Sequence, residues 1–111
     1  MPYDEGLAER IRDALAAEKS VSEQRMFGGL AFLVRGNMAV AASGQGGLLV
    51  HVDAADGDQL VSKPGVEPMV MRGRPMSGWL RVDTSAVRTK AQLETWVRRG
   101  VDYARSLPPK R

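Results

Sequence analysis

The first apolar pattern along the chain is helical. Leu7, Ile11, Ala14 and Leu15 share one side of an amphipathic segment, with Glu9, Arg10, Arg12 and Asp13 on the other. Asp4 stands where an N-cap belongs and Glu5 lies in the first turn, so a helix is predicted to run from there to Glu18 or Lys19. From Val21 the pattern becomes that of strands. "VSEQRMF" reads as one strand, Gly28 and Gly29 break it, and the fully apolar "LAFLV" is a second. Arg35, Gly36 and Asn37 predict a hairpin turn, since Gly and Asn tolerate positive φ. "MAVAA" returns, and Ser43 to Gly47 forms another turn. In "LLVHVD", Leu48, Val50 and Val52 face one way, and Leu49, His51 and Asp53 the other.

Residues 54 to 63 read as a short helix ended by Pro64 and Gly65. "PMVMRG" and "GWLRVD" are two further strands, separated by Arg74 to Ser77. In the second, Leu80 and Val82 share a face opposite Trp79, Arg81 and Asp83. The last helix opens with Thr89 and Gln92 at capping-box spacing. Leu93, Trp96, Val97, Gly100, Val101 and Ala104 form its apolar stripe, and Glu94, Arg98 and Asp102 are spaced to pair in sequence. Pro108 and Pro109 stop it, leaving "PPKR" as a loose tail. Short connections favour antiparallel neighbours. The fold class is therefore α+β, two layers, with a mainly antiparallel sheet of about five to six strands and helices packed on one face. Residues 1–111 read as a single domain without repeats or linkers.

Composition narrows the chemistry. The chain has 111 residues and no cysteine, which excludes disulfides, thiolate catalysis and cysteine-based metal sites. No apolar run approaches the roughly 20 residues of a membrane helix, and "MPYDEGLAER" lacks the order of a signal peptide, so a cytoplasmic protein is expected. The net charge of +3 is uneven: residues 1–71 hold six Lys and Arg against ten Asp and Glu, and residues 72–111 hold ten against three. Such asymmetry suits an anionic partner, or neutralisation of one part by the other within the fold or across a dimer.

The glycine clusters do not read as phosphate loops. Neither carries the lysine and hydroxyl of a P-loop, and both lie between strands rather than between a strand and a helix. They are expected to be sheet corners. His51, the only histidine, has no neighbouring nucleophile and no metal-ligand spacing, so a structural or surface role is expected. Asp53, Asp56 and Asp58 lack the spacing of a calcium loop and read as turn and cap residues. No cofactor, metal or catalytic residue is expected. The most distinctive stretch is "MRGRPMSGWLRV", residues 71 to 82. Arg72 and Arg74 could hold a carboxylate or phosphate, and Trp79 and Arg81 could stack on bases or pack against a partner.

The order of these blocks is similar to that of a known family. "YDEGLAERIRDAL", "RMFGGLAFLVRGNMAVAASGQGGLLVHV", "MRGRPMSGWLRV" and "WVRRGVDYARSLPP" together resemble the TfoX/Sxy N-terminal-domain family over nearly the whole chain. The resemblance implies a two-layer domain similar to the secretion-chaperone-like fold, in a bacterial cytoplasmic protein. The best-known members regulate DNA-uptake competence and act on transcription together with the cyclic-AMP receptor protein. In those members a second, helical domain follows, and this chain is expected to lack it. The resemblance supplies no catalytic residues for positions here.

The leading expectation is a non-enzymatic regulatory or interaction domain, a homodimer acting through an unidentified protein partner. The alternative is a nucleic-acid-binding module using the arginine-rich last third, with weak or indirect binding. A small-ligand binder or enzyme comes third. Arg72, Arg74, Trp79 and Arg81 are the candidate contacts for a partner or anion. An uncovered sheet face carrying Leu49, Trp79 and Met69 or Met71 is the expected docking surface.

Overall fold

The computed structural model describes residues 3–26 and 28–109. Phe27, at the end of the first expected strand, and Lys110 and Arg111, in the expected tail, lie outside the described residues. Helix α1 spans Glu5–Ala14, capped by the Asp4 carboxylate, which accepts from the Leu7 N–H. It stops short of the predicted Glu18. Leu15 sits at the cap, and tight turns follow through Ala16 and Glu18. These turns end with Ser20 at positive φ, delivering the chain to the first strand.

Six strands form one sheet: β1 (Val21–Met26), β2 (Gly29–Val34), β3 (Asn37–Ala42), β4 (Leu48–His51), β5 (Val66–Met71) and β6 (Arg74–Val82). Their order is β1-β2-β3-β4-β6-β5, and every neighbour is antiparallel. Helix α2 (Ala54–Leu60) lies between β4 and β5 in the chain, and α3 (Lys90–Ser106) closes the described fold. Asp53 caps α2, and Thr89 with Gln92 forms the predicted capping box on α3.

The helices bury one face of the sheet. Leu7, Ala8 and Ile11 of α1 meet the α3 stripe, all six predicted members of which are buried, over Phe32, Val34, Val40, Val50, Leu80 and Val82. Asn37 departs from expectation. The two positive-φ residues of the first hairpin are Arg35 and Gly36, and Asn37 is the first residue of β3. It is 2% exposed and donates to the Pro108 carbonyl at 2.9 Å and the Ala104 carbonyl at 3.5 Å, tying β3 to the end of α3. The expected pairing along Glu94, Arg98 and Asp102 is not among the ion pairs of the described residues. Those are Arg12 with Glu9 and Glu23, and Arg105 with Glu18, the last joining α3 to the turns that follow α1.

The opposite face carries a second, smaller apolar cluster: Ala31, Met38, Ala41 and Leu49, with Met26, Leu33, Met69 and Trp79 packed against it. No helix contributes to this cluster. Leu49 is nevertheless only 4% exposed, against the expectation of an uncovered face. The physical reason lies in the β5–β6 pairing. Between Pro68 and Met69 the partner register jumps from Leu80 to Met76, so several residues of β6 bulge out around Gly78. Such a bulge bends a strand sharply. Gly78 holds φ +82°, and a Cβ there would fall 2.6 Å from the Val52 carbonyl oxygen. Beyond the bulge, β6 has left β4, and the hairpin tip folds across the face. Arg74 to Ser77 are thus part of β6, not the expected separating loop, and the turn is Arg72-Gly73, both at positive φ.

Candidate functional site

Under the folded hairpin lies a cleft of about 270 Å³. Its floor is Ala41, Ala42 and Leu49 from the middle of the sheet, with Gly29 beside them. Met69, Val70 and Met71 of β5 form one wall, and Met26, at the end of β1, joins from the far side of the sheet. The remaining lining is polar: Ser43, Gln45, Arg72 and Arg81. Both glycines of the "FGG" corner serve this shape. Gly28 takes φ +74° in the turn, and a Cβ on Gly29 would lie 2.2 Å from the Ala42 carbonyl oxygen. The glycine cluster is therefore a corner between β1 and β2 that lets the start of β2 approach the end of β3, as the sequence suggested.

The four residues singled out in the sequence divide. Arg72, at the hairpin turn, and Arg81, on β6, both line the cleft. Arg81 is half-buried and donates from Nη1 to Gln45 Oε1 at 2.8 Å, so a neutral amide holds its guanidinium in place. Trp79 packs into the neighbouring cluster and stacks on His51, ring centroids 3.8 Å apart at 12°. His51 in turn meets Tyr103 edge-on at 4.9 Å. This accounts for the one histidine as an aromatic contact between sheet and α3. It also leaves Trp79 with one ring face already covered. Arg74, exposed at the base of the turn, does not line the cleft.

Met26 and Gln45 were not visible as members of this site. Met26 lies 43 residues before Met69 in the chain. The spacing of Met69 and Met71 puts both on one face of a strand, but nothing local says what they face. Larger grooves run between the helices. One of about 510 Å³ between α2 and α3 is lined by Asp53, Asp56 and Asp102 with Arg99 and Tyr103. Another, of about 590 Å³ along α1 and α3, mixes Glu18, Glu94 and Asp102 with Arg98 and Arg99. Among the described residues, no group of three or more histidine, aspartate or glutamate side chains is gathered to hold a metal ion. No helix among them is long and apolar enough to cross a membrane.

The arginines of the last third do not form one surface. Arg72 and Arg81 lie at the cleft, Arg98 and Arg99 line the groove along α1 and α3, and Arg105 is paired with Glu18. Arg99 also sits 4.4 Å over the Trp96 ring. Charge in this chain is therefore distributed to both sides of the sheet.

Comparison with known families gives one finding. The family model described as the TfoX N-terminal domain matches residues 13–104, most of the chain. No curated protein and no solved structure matches.

Proposed function

Because this chain belongs to the TfoX N-terminal domain family, we propose that it is a non-enzymatic regulatory interaction domain of a bacterial cytoplasmic protein, which acts by docking a protein partner at the hairpin-roofed cleft. The observation that carries the reading is the cleft's make-up. A mostly apolar floor and methionine wall meet two arginines, and among the described residues the lining sets no histidine, carboxylate or tyrosine beside the Ser43 hydroxyl. Methionine walls suit adaptable recognition, because the unbranched thioether repacks against different partners. The competence and transcription role of the best-known family members is the process we propose for it, through such a partner.

A homodimer is a second element of the proposal. Val70, on the edge strand β5, is 57% exposed, and an exposed apolar residue on an unpaired edge favours strand-to-strand association. Light scattering at micromolar concentration is expected to give twice the 12.1 kDa chain mass, and Val70→Lys to return the monomer. A monomer mass for the wild type across that range overturns the dimer. For the partner, affinity capture from bacterial extract by the wild type and by Met69→Asp, compared by mass spectrometry, is the test. A protein retained by the first and lost by the second supports the cleft. Equal retention by both removes it.

A further inference from the structure

We infer that the cleft takes an acidic, extended peptide segment, with a large apolar side chain on its floor and a carboxylate between Arg72 and Arg81. This rests on the proposed docking function and names the partner's chemistry. The argument is charge complementarity. The chain carries 13 aspartates and glutamates, yet none of them lines this cleft, whereas both larger helix-lined grooves hold several. Arg81 is held by the neutral Gln45 and, although Glu67 stands across from it on β5, it is not among the ion pairs of the described residues. A guanidinium held in this way, beside apolar walls that thin the surrounding water, favours a carboxylate over a neutral group. A basic or neutral peptide would leave Arg72, at the turn, without a partner charge.

Size and topology set the form of the ligand. About 270 Å³ is near the lower end of small-molecule pockets and has room for an anchor side chain, not for a helix or a nucleotide. The wall is β5, an edge strand with no neighbour beyond it among the described residues. The two-residue Arg72-Gly73 turn makes Met71 and Arg74 the closing hydrogen-bonded pair. In the next pair, Val70 and Pro75, the Val70 N–H therefore points away from β6. An extended segment laid along β5 can accept that N–H, while its alternate side chains reach the cleft. The segment takes the same β5 edge as the proposed dimer, so peptide and second copy compete for it; a copy docked cleft to cleft would in addition bring Arg72 and Arg81 towards their own copies.

The test is fluorescence anisotropy with three labelled decapeptides: alternating Glu and Leu, alternating Lys and Leu, and alternating Glu and Ser. The Glu–Leu peptide is expected to bind and the other two to bind at least about tenfold more weakly. Arg81→Gln and Arg72→Gln should each weaken the Glu–Leu peptide by about tenfold while leaving the thermal melt near that of the wild type. Leu49→Ala should weaken it as well, and Arg98→Gln, on the helix side, should not. Equal binding of the Lys–Leu peptide, indifference to both cleft arginines, or no binding of the Glu–Leu peptide at millimolar concentration each overturns the inference. If the peptide fails while a captured protein is still lost on Met69→Asp, the docking site stands and the acidic-peptide chemistry falls. If both fail, the docking reading falls with it.

Discussion

Gly100 of α3 lies directly over the carbonyl of Ala39 on β3. A Cβ built there would be 2.4 Å from that oxygen and 3.0 Å from a methyl of Val40. Glycine in mid-helix is unfavourable by about 1 kcal/mol relative to alanine. Here it lets the helix settle onto the sheet. Gly100→Ala should therefore destabilise the fold by roughly 1–3 kcal/mol despite its better helix propensity, because the opposing atoms are backbone and cannot swing away. Urea unfolding monitored by circular dichroism gives the number, and an unchanged or raised midpoint would refute the close packing.

Gly29 makes the same kind of approach at the cleft. With a Cβ 2.2 Å from the Ala42 oxygen, Gly29→Val should lose roughly 1–3 kcal/mol. The glycine corner is structural, so ATP, GTP or NAD should leave the wild-type Tm unchanged. A nucleotide-dependent rise in Tm would reopen a phosphate-binding role.

Asn37 predicts a different failure. Replacing it by Leu removes the donor to Pro108 and Ala104 and leaves their carbonyls without that partner. The expected loss is about 1–3 kcal/mol, with amide exchange at the end of α3 rising before that of β3. Uniform exchange across both elements would argue against a local tie.

Glu23 supplies the pH dependence. Its carboxylate accepts two hydrogen bonds from Arg12, at 2.7 and 2.8 Å, and this holds its pKa below the ordinary carboxylate range. A lowered folded pKa stabilises above the unfolded value of about 4.3 and is lost as pH falls through the folded one. Wild type and Glu23→Gln should therefore differ at neutral pH and converge in acid. The pair is more than a third exposed, so the shift in denaturant midpoint should be small and should shrink further in salt. A gap that widens on acidification would contradict the assignment.

Nucleic acid should bind weakly, without sequence preference, and fall steeply with salt. Arginine placed on both faces of the sheet provides charge without a reading surface. Anisotropy on labelled duplex and single-stranded DNA at low and physiological salt tests this. Tight, sequence-selective binding at physiological salt would overturn it.

The sequence by itself determined the elements, their antiparallel joining and the buried stripe of α3, because period, caps and turns are written in neighbouring residues. Asp4, Asp53 and the Thr89–Gln92 pair act within a turn or two of chain, and Leu48, Val50 and Val52 alternate as their spacing requires. Three features were decided only by the tertiary structure. The bulge at Gly78 answers to the carbonyl of Val52, which lies just past the end of β4. It folds the hairpin over a face that the pattern of Leu49 and Trp79 had left open. The cleft joins Met26 to Met69, and Arg81 to Gln45, across separations that no local period encodes. Asn37 likewise looks like a turn residue until the end of α3 arrives beside it with carbonyls to satisfy. Local chemistry sets what each segment can become, but a polar or small residue takes its role from the distant backbone packed against it.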